Sequence, residues 1–211
     1  MSKYHSIAVA LLIGAVSPVL QGAAPERGEI IGDDMYVNCE YRVAAHFPSE
    51  PTFRDLTYRV GNRSAPARQF YVERGMDLLS VTVAHFATGS DQDQQLIAEA
   101  TETLRRRGQV KFEFEVWYDE PNIKGRQLTI ALAGGRYLRG HVYMADHRLY
   151  ITEAIADPND YSAFLFSESV SLIDQNGADR DGNPTNLATG AVGTSAGLPP
   201  RQYDCSRRPA R

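Results

Sequence analysis

Between residues 109 and 156 apolar and polar positions alternate in four successive runs. In residues 109–118, Val110, Phe112, Phe114, Val116 and Tyr118 alternate with Lys111, Glu113, Glu115 and Trp117. A period of two sets one row on a core and the other on the opposite face of a strand. Residues 126–133 repeat the pattern with Leu128, Ile130 and Leu132, residues 136–145 with Leu138, Val142 and Met144, and residues 148–156 with Leu149, Ile151 and Ile155. The links between these runs are short and polar, ending in Gly125, Gly134-Gly135 and Asp146-His147. A parallel crossover needs a dozen residues or more, so the spacing predicts an antiparallel meander, placed at the centre of a sheet.

Upstream, residues 35–47 read as one strand with Val37, Cys39, Tyr41 and Val43 in register, ended by Pro48, which cannot donate to a ladder. Residues 52–60 and 69–73 read as short strands around a polar loop at 61–66, and the β-branched residues of 78–86 as a stronger one. The period then changes. Leu96, Ile97, Ala100 and Leu104 fall at helical spacing within 91–107, with Ser90 as N-cap, Asp93 in the capping-box position and Gly108 just past the end. Arg105-Arg106-Arg107 in the last turn read as helix-end electrostatics on a solvated face, with an anion-binding patch as the alternative. Asp157-Pro158-Asn159-Asp160 form a turn and N-cap, and Tyr161, Phe164 and Leu165 at i, i+3 and i+4 predict a second helix. Residues 170–173 give a last short strand. Residues 174–211, rich in Asn, Gly, Asp, Thr and Pro, bury too little to offset their ordering entropy and read as a flexible tail. The expected fold class is α+β, a single twisted antiparallel sheet flanked by helices over residues 35–173.

The ordered elements resemble the Mog1/PsbP-like fold, in particular its small exported bacterial members of unknown function. The residues that carry the resemblance are the corner His46-Phe47-Pro48, the strand Arg148-Leu149-Tyr150, and the helix ending Phe164-Leu165-Phe166-Ser167. The likeness spans residues 35–173 and implies an antiparallel sheet flanked by helices. Named members of that fold are accessory proteins that act by binding other proteins, and none of their interface residues is matched here. Many exported relatives resemble lipoproteins, whereas this chain carries no anchoring Cys near its start.

Composition adds a compartment. Of 211 residues, 43% are hydrophobic, enough for a proper core, and the net charge of −4 argues against the basic footprint of a nucleic-acid binder. Lys3, the apolar run at 7–16 and Gly22-Ala23-Ala24 read as a secretory signal over residues 1–24, with an uncleaved anchor as the alternative. The run is too short for a stable membrane span. The expected mature protein is periplasmic or secreted. Cys39 and Cys205 fit an oxidising space, where an even, minimal count suggests a bridge; two unpaired thiols are the alternative.

Candidate chemistry is sparse. Gly193-Thr194-Ser195-Ala196-Gly197 matches G-x-S-x-G, but no strand precedes it and no His follows it. Residues 174–182 have the composition of a calcium loop without its register, Ala178 and Asp179 falling where a ligand and the turn Gly belong. Asn62-Arg63-Ser64 is a formal glycosylation site. His46, His85, His141 and His147 show no metal-ligand spacing, although His141 and His147 are placed to meet across a hairpin. No metal, cofactor or catalytic residue is expected. The face of the meander opposite the apolar rows is unusual, carrying Glu113, Glu115 and Trp117 on one strand, Tyr137, Arg139, His141 and Tyr143 on another, and Tyr150 on the last. Aromatics mixed with Arg and His suit a recognition surface. Covered by a helix or the N-terminal segment, the same residues form a second core layer. The expected function is an exported, non-enzymatic accessory or protein-binding domain of the cell envelope. The alternative is a small-molecule binder or an unrecognised hydrolase using a pocket on this sheet face.

Overall fold

The computed structural model describes residues 28–31, 35–87, 92–117, 123–180 and 202–205. In chain order they form β1 (Glu29–Ile31), β2 (Met35–Asn38), β3 (Val43–His46), β4 (Thr52–Val60), β5 (Arg63–Arg74), β6 (Asp77–His85), α1 (Asp93–Arg105), β7 (Gln109–Trp117), β8 (Lys124–Ala131), β9 (Tyr137–Ala145), β10 (Arg148–Ala156), α2 (Tyr161–Ser169) and β11 (Ser171–Leu172). The class is α+β, and every pairing is antiparallel. The sheet, however, is not single. Seven strands run in the order β4-β5-β6-β10-β9-β8-β7, and four more form a second sheet, β1-β2-β3-β11.

The second sheet exists because residues 35–47 do not continue as one strand. Asn38 Oδ1 accepts from the Tyr41 N–H at 2.9 Å, and Arg42 takes a left-handed φ of 55°. The chain reverses there, so that Met35 pairs with His46. Gly61 turns the chain in the same way, and β5 begins at Arg63, extending through the region expected to be a loop. The meander is present as expected, β7 to β10 each pairing with the next. It forms one half of the large sheet rather than its centre. β10 joins it to β6, leaving β7 at an edge.

Alternation along the strands makes both sheet faces apolar, and each has its own cover. On one, Leu128, Ile130, Leu138, Val142, Leu149, Ile151 and Ile155 pack beneath Leu96, Ile97, Ala100 and Leu104 of α1. Gly140 makes room for this helix, since a Cβ there would lie 3.2 Å from Leu104. On the other face, Phe70, Val81, Val83, Tyr143, Tyr150 and Ala154 pack against Tyr36, Val43 and Phe47 of the small-sheet segment and Phe166 of α2. The Phe47 and Phe166 rings sit 4.8 Å apart and join the two covers. Each such large side chain, fully buried, contributes about 1.5–3 kcal/mol.

Both helices depart from expectation in detail. α1 starts with Gln92 at the N-cap and no side-chain cap; Ser90 and Asp91 lie outside the described residues. Its three closing arginines are ion-paired, Arg105 with Glu113, Arg106 with Glu102, and Arg107 with Glu153, so two of them tie the helix to the sheet. In α2, Asp160 caps as expected, accepting from the Ala163 N–H at 3.0 Å. Its buried side is Ala163, Phe166 and Ser167, while Tyr161, Phe164 and Leu165 face out.

The described parts of the C-terminal segment, residues 174–180 and 202–205, are packed against the small sheet. Arg180 N–H donates to the Leu172 carbonyl at 2.8 Å, Ala178 bridges to Gln202, and Tyr203 is buried with Val37, Ala44 and Ile173. Cys39 and Cys205 form a disulfide with a Cα–Cα distance of 5.6 Å. Asp146, in the β9–β10 turn, accepts from Arg42 at 2.5 Å and from Arg180 at 2.7 Å, linking both sheets to this segment. The signal at 1–24 and the G-x-S-x-G stretch at 193–197 lie outside the described residues. Among the described residues no helix is long and apolar enough to cross a membrane.

The disulfide closes a separation of 166 residues, so its loss releases a long loop in the unfolded chain. Cys205→Ser is expected to lower unfolding stability by about 2–4 kcal/mol in a urea titration. An unchanged midpoint would show that the C-terminal segment adds nothing to the small sheet.

Candidate functional site

The pairing registers place three rows of side chains across β7, β8, β9 and β10 on the side covered by α2. They are Phe112–Thr129–Arg139–Ala154, Phe114–Gln127–His141–Thr152, and Val116–Gly125–Tyr143–Tyr150. Along the middle row burial falls away from the sheet centre. Thr152 and His141 are buried, Gln127 is half-buried, and Phe114 is exposed. Phe112 and Phe114 keep 60% and 57% of their surface in solvent, their rings parallel at 6.4 Å.

The sequence set these phenylalanines in the core, on the same side as Leu128 and Ile130. They lie on the other side because of a bulge. The β7–β8 register shifts between Val110 and Phe112, so Val110 opposes Ile130 while Phe112 opposes Thr129. One extra residue, Lys111, moves the rest of the strand to the opposite face. Glu113 and Glu115 accordingly fall on the α1 side, where they pair with Arg105 and Arg126.

α2 runs beside these rows. Arg139 Nη2 donates to the Pro158 carbonyl at 2.9 Å before the helix, and Gln127 Nε2 donates to Glu168 Oε1 at 3.3 Å near its end. Phe164 lies one turn before Glu168 and Tyr161 about one turn earlier still, so this helix edge flanks β8. Tyr161 is 69% exposed, Phe164 and Leu165 are exposed as well, and the Tyr161 and Phe164 rings stack at 6.4 Å. Two exposed ring pairs, one on an edge strand and one on a helix, thus border the same part of the sheet. Among the described residues no strand pairs with the outer edge of β7.

The six residues expected to form a recognition face separate. Tyr143 and Tyr150 are buried in the core, and the Tyr150 hydroxyl donates to the Tyr41 carbonyl at 3.2 Å. His141 is buried; Tyr137 and Arg139 are half-buried. The side chain of Trp117 lies outside the described residues. Most of the expected face is therefore a covered layer, and its open margin consists of residues assigned from sequence to the interior. The signal that could have found them is the long Glu/Lys row of β7. A strand with so many charges on one face and phenylalanines on the other is hard to bury on either side.

Polar groups support the face from below. Thr152 Oγ1 accepts from the His141 backbone N–H at 3.0 Å and lies 3.1 Å from Nδ1, where its hydroxyl proton is free to be donated to the ring. Burial pushes the His141 imidazole down to about 4, and the ring is neutral at pH 7. Burial also holds the Glu168 carboxyl above its usual range, partly offset by Ser167, the Arg139 charge and Gln127. Arg139 Nη1 is buried without a hydrogen-bond partner. His141 lies mid-strand opposite Thr152 and His147 in the hairpin turn, so the two do not meet. Among the described residues no cluster of His, Cys, Asp or Glu is placed to hold a metal. The open margin offers apolar contact and strand edge, and its one imidazole is shut away from solvent.

Compared with known proteins, the chain matches no family model and no curated protein.

The neutral His141 makes a pH prediction. Unfolded, the ring binds a proton near pH 6.5; folded, it does so only near 4, so the unfolded state holds more protons between these values. The His141 contribution to stability is fully present above pH 6.5 and is lost as pH falls toward 4. The loss is on the order of 3 kcal/mol. Urea midpoints should fall over that window, and His141→Gln should flatten this part of the profile. A profile equally steep in the variant would place the acid sensitivity elsewhere.

Proposed function

We propose that this chain is an exported, non-enzymatic accessory domain of the cell envelope that binds another protein through the β7 edge and the aromatic margin beside it. The observation that carries this reading is the exposure of Phe112 and Phe114 on β7, whose outer edge pairs with no strand among the described residues. An open strand edge is a template for a further strand, and proteins ordinarily blunt such edges. Here the edge carries two phenylalanines, with Tyr161 and Phe164 on the neighbouring helix, and aromatic side chains dominate the energetics of protein interfaces. The mode this suits is strand addition, in which main-chain bonds give affinity and alternate side chains give selectivity. The disulfide supports an oxidising compartment, the periplasm or the outside of the cell. Likeness to the Mog1/PsbP-like accessory proteins belongs to this proposal; the α+β class and antiparallel pairing support it, while the second sheet departs from the single sheet it implies.

One observation favours a second reading. Arg139 Nη1, buried beneath the face without a hydrogen-bond partner among the described residues, suits an acceptor atom of a small ligand. Native mass spectrometry of the protein purified from its exported fraction separates the two, since a small ligand adds a few hundred daltons and a protein adds kilodaltons.

Photo-crosslinking tests the leading reading. A photoreactive phenylalanine at position 112 or 164 should give protein adducts in cells, while one at Arg106, exposed just past the end of α1, should not. Phe112→Ser with Phe114→Ser should remove the adduct formed from position 164 yet leave stability within about 0.5 kcal/mol, because both rings are already in solvent. Equal labelling from all three positions, or none from 112 and 164, would sink the reading.

A further inference from the structure

We infer that the Cys39–Cys205 bridge is a redox latch: its reduction by a dithiol frees residues 202–205 and bares the outer face of the small sheet, while the rest of the fold stays in place.

The strap at 202–205 and the seat that receives it are held by different means. Residues 174–180 form the seat. Arg180 is ion-paired with Asp146 at 2.7 Å, its N–H donates to the Leu172 carbonyl at 2.8 Å, and the Ile173 N–H donates to the Arg42 carbonyl at 3.1 Å. Asp174 Oδ1 accepts from the Asn176 and Ala178 N–H groups at 2.7 and 2.8 Å, so the turn closes on itself. All of these bonds are made without the strap. The seat is shaped to receive it at Gly177, whose φ is 86° and where a Cβ would lie 2.1 Å from the Tyr203 carbonyl oxygen.

The strap depends on the bridge. Its Tyr203 N–H donates to the Gly177 carbonyl at 2.8 Å, and Gln202 Nε2 donates to the Asn176 carbonyl at 2.7 Å. Hydrogen bonds of this kind are exchanged for water on release, so each leaves a modest net gain. Tyr203 is buried against Val37, Ala44 and Ile173. Burying one large side chain offsets the cost of fixing the backbone of about two residues, and the strap is four residues long. Weak bonding and ordering cost therefore nearly cancel. The bridge keeps Cys205 beside Cys39 across a separation of 166 residues, and that tether tips the balance toward the docked strap. On the other side of the small sheet, Tyr36, Val43 and Phe47 pack into the main core and do not touch this balance.

Both cysteines are half-buried rather than sealed in the core, so the bridge is open to attack from solvent. A thiolate of the dithiol attacks one sulfur to form a mixed disulfide, and its second thiol resolves this. The dithiol ends as a disulfide, and Cys39 and Cys205 together take up two electrons and two protons. Tyr203 then leaves Val37, Ala44 and Ile173 facing water.

Amide hydrogen exchange and methyl NMR of the full-length protein, before and after treatment with dithiothreitol, read the latch directly. Reduction should speed exchange of the Tyr203 N–H by about tenfold or more and leave the amides of β6 and β10 as protected as before. The Val37 and Ile173 methyl signals should move as the Tyr203 ring departs, to the positions seen in Tyr203→Ala with its bridge intact. Cys39→Ser with Cys205→Ser should match the reduced protein with or without dithiothreitol, which removes the reagent itself as a cause. Unchanged protection at Tyr203 in the reduced protein would show that the seat holds the strap unaided and overturns the inference. Loss of protection throughout β6 and β10 overturns it as well, since the bridge would then be a staple of the whole fold. A bridge that dithiothreitol cannot open in the folded protein does the same.

Discussion

A strand that is apolar on both faces must be covered twice, and β10 is such a strand. Leu149, Ile151 and Ile155 look to one side, Tyr150, Ala154 and Ala156 to the other, all buried. It lies between β6 and β9 in the large sheet, so the demand spreads to its neighbours. One helix meets it on the first side through Leu96, Ile97 and Leu104. The second side is wider than one short helix can cover, and the chain meets it with two pieces, the small sheet and α2, joined at Phe47 and Phe166. The small sheet has four short strands and an outer face of its own, which explains the disulfide and the buried Tyr203. Without the segment that Cys205 anchors, Val37, Ala44 and Ile173 would face water.

The parts of this arrangement legible in the sequence are those fixed by local periodicity. β4 falls at Thr52–Val60 as its pattern predicts, β9 and β10 follow their alternation, and the α1 residues Leu96, Ile97, Ala100 and Leu104 are buried, together with Thr101. Asp160 caps α2 because an Asp after Asp-Pro-Asn has a short-range partner to find. What escaped depends on single backbone angles or single residues. Arg42 adopts a positive φ without being Gly or Asn, held by its bond to Asp146, more than a hundred residues away in sequence. Nothing local announces that turn. The Lys111 bulge is equally silent, and a shift of one residue inverts the facing of every side chain beyond it.

The inner side of α2 shows a different limit. Tyr161, Phe164 and Leu165 form the more hydrophobic stripe, yet the helix turns Ala163, Phe166 and Ser167 to the core. Close approach to β3 and β10 favours small residues with one large ring between them, and Phe166 fills the space that Phe47 leaves. Hydrophobicity chose the stripe and available volume chose the other. The same competition exposes Phe112 and Phe114. α1 and α2 reach over β8 and β9; on the last strand Val116 packs against the core and Glu113 meets Arg105, while Phe112 and Phe114 stay exposed.

An exposed aromatic edge risks indiscriminate pairing, and β7 carries two restraints on it. The bulge ends regular pairing near Lys111, and the charges on the α1 side oppose any strand that does not complement them. Behind the edge, His141 is bonded to Thr152, and Gln127 is bonded to Glu168 of the helix. Buried polar groups that are satisfied in only one arrangement hold the strands at fixed spacing. The edge is therefore held in place by the strands behind it, so that a contact made there would carry little ordering cost. Exposure alone would make β7 a hazard; fixed spacing and the bulge narrow the stretch of the edge that is open to pairing.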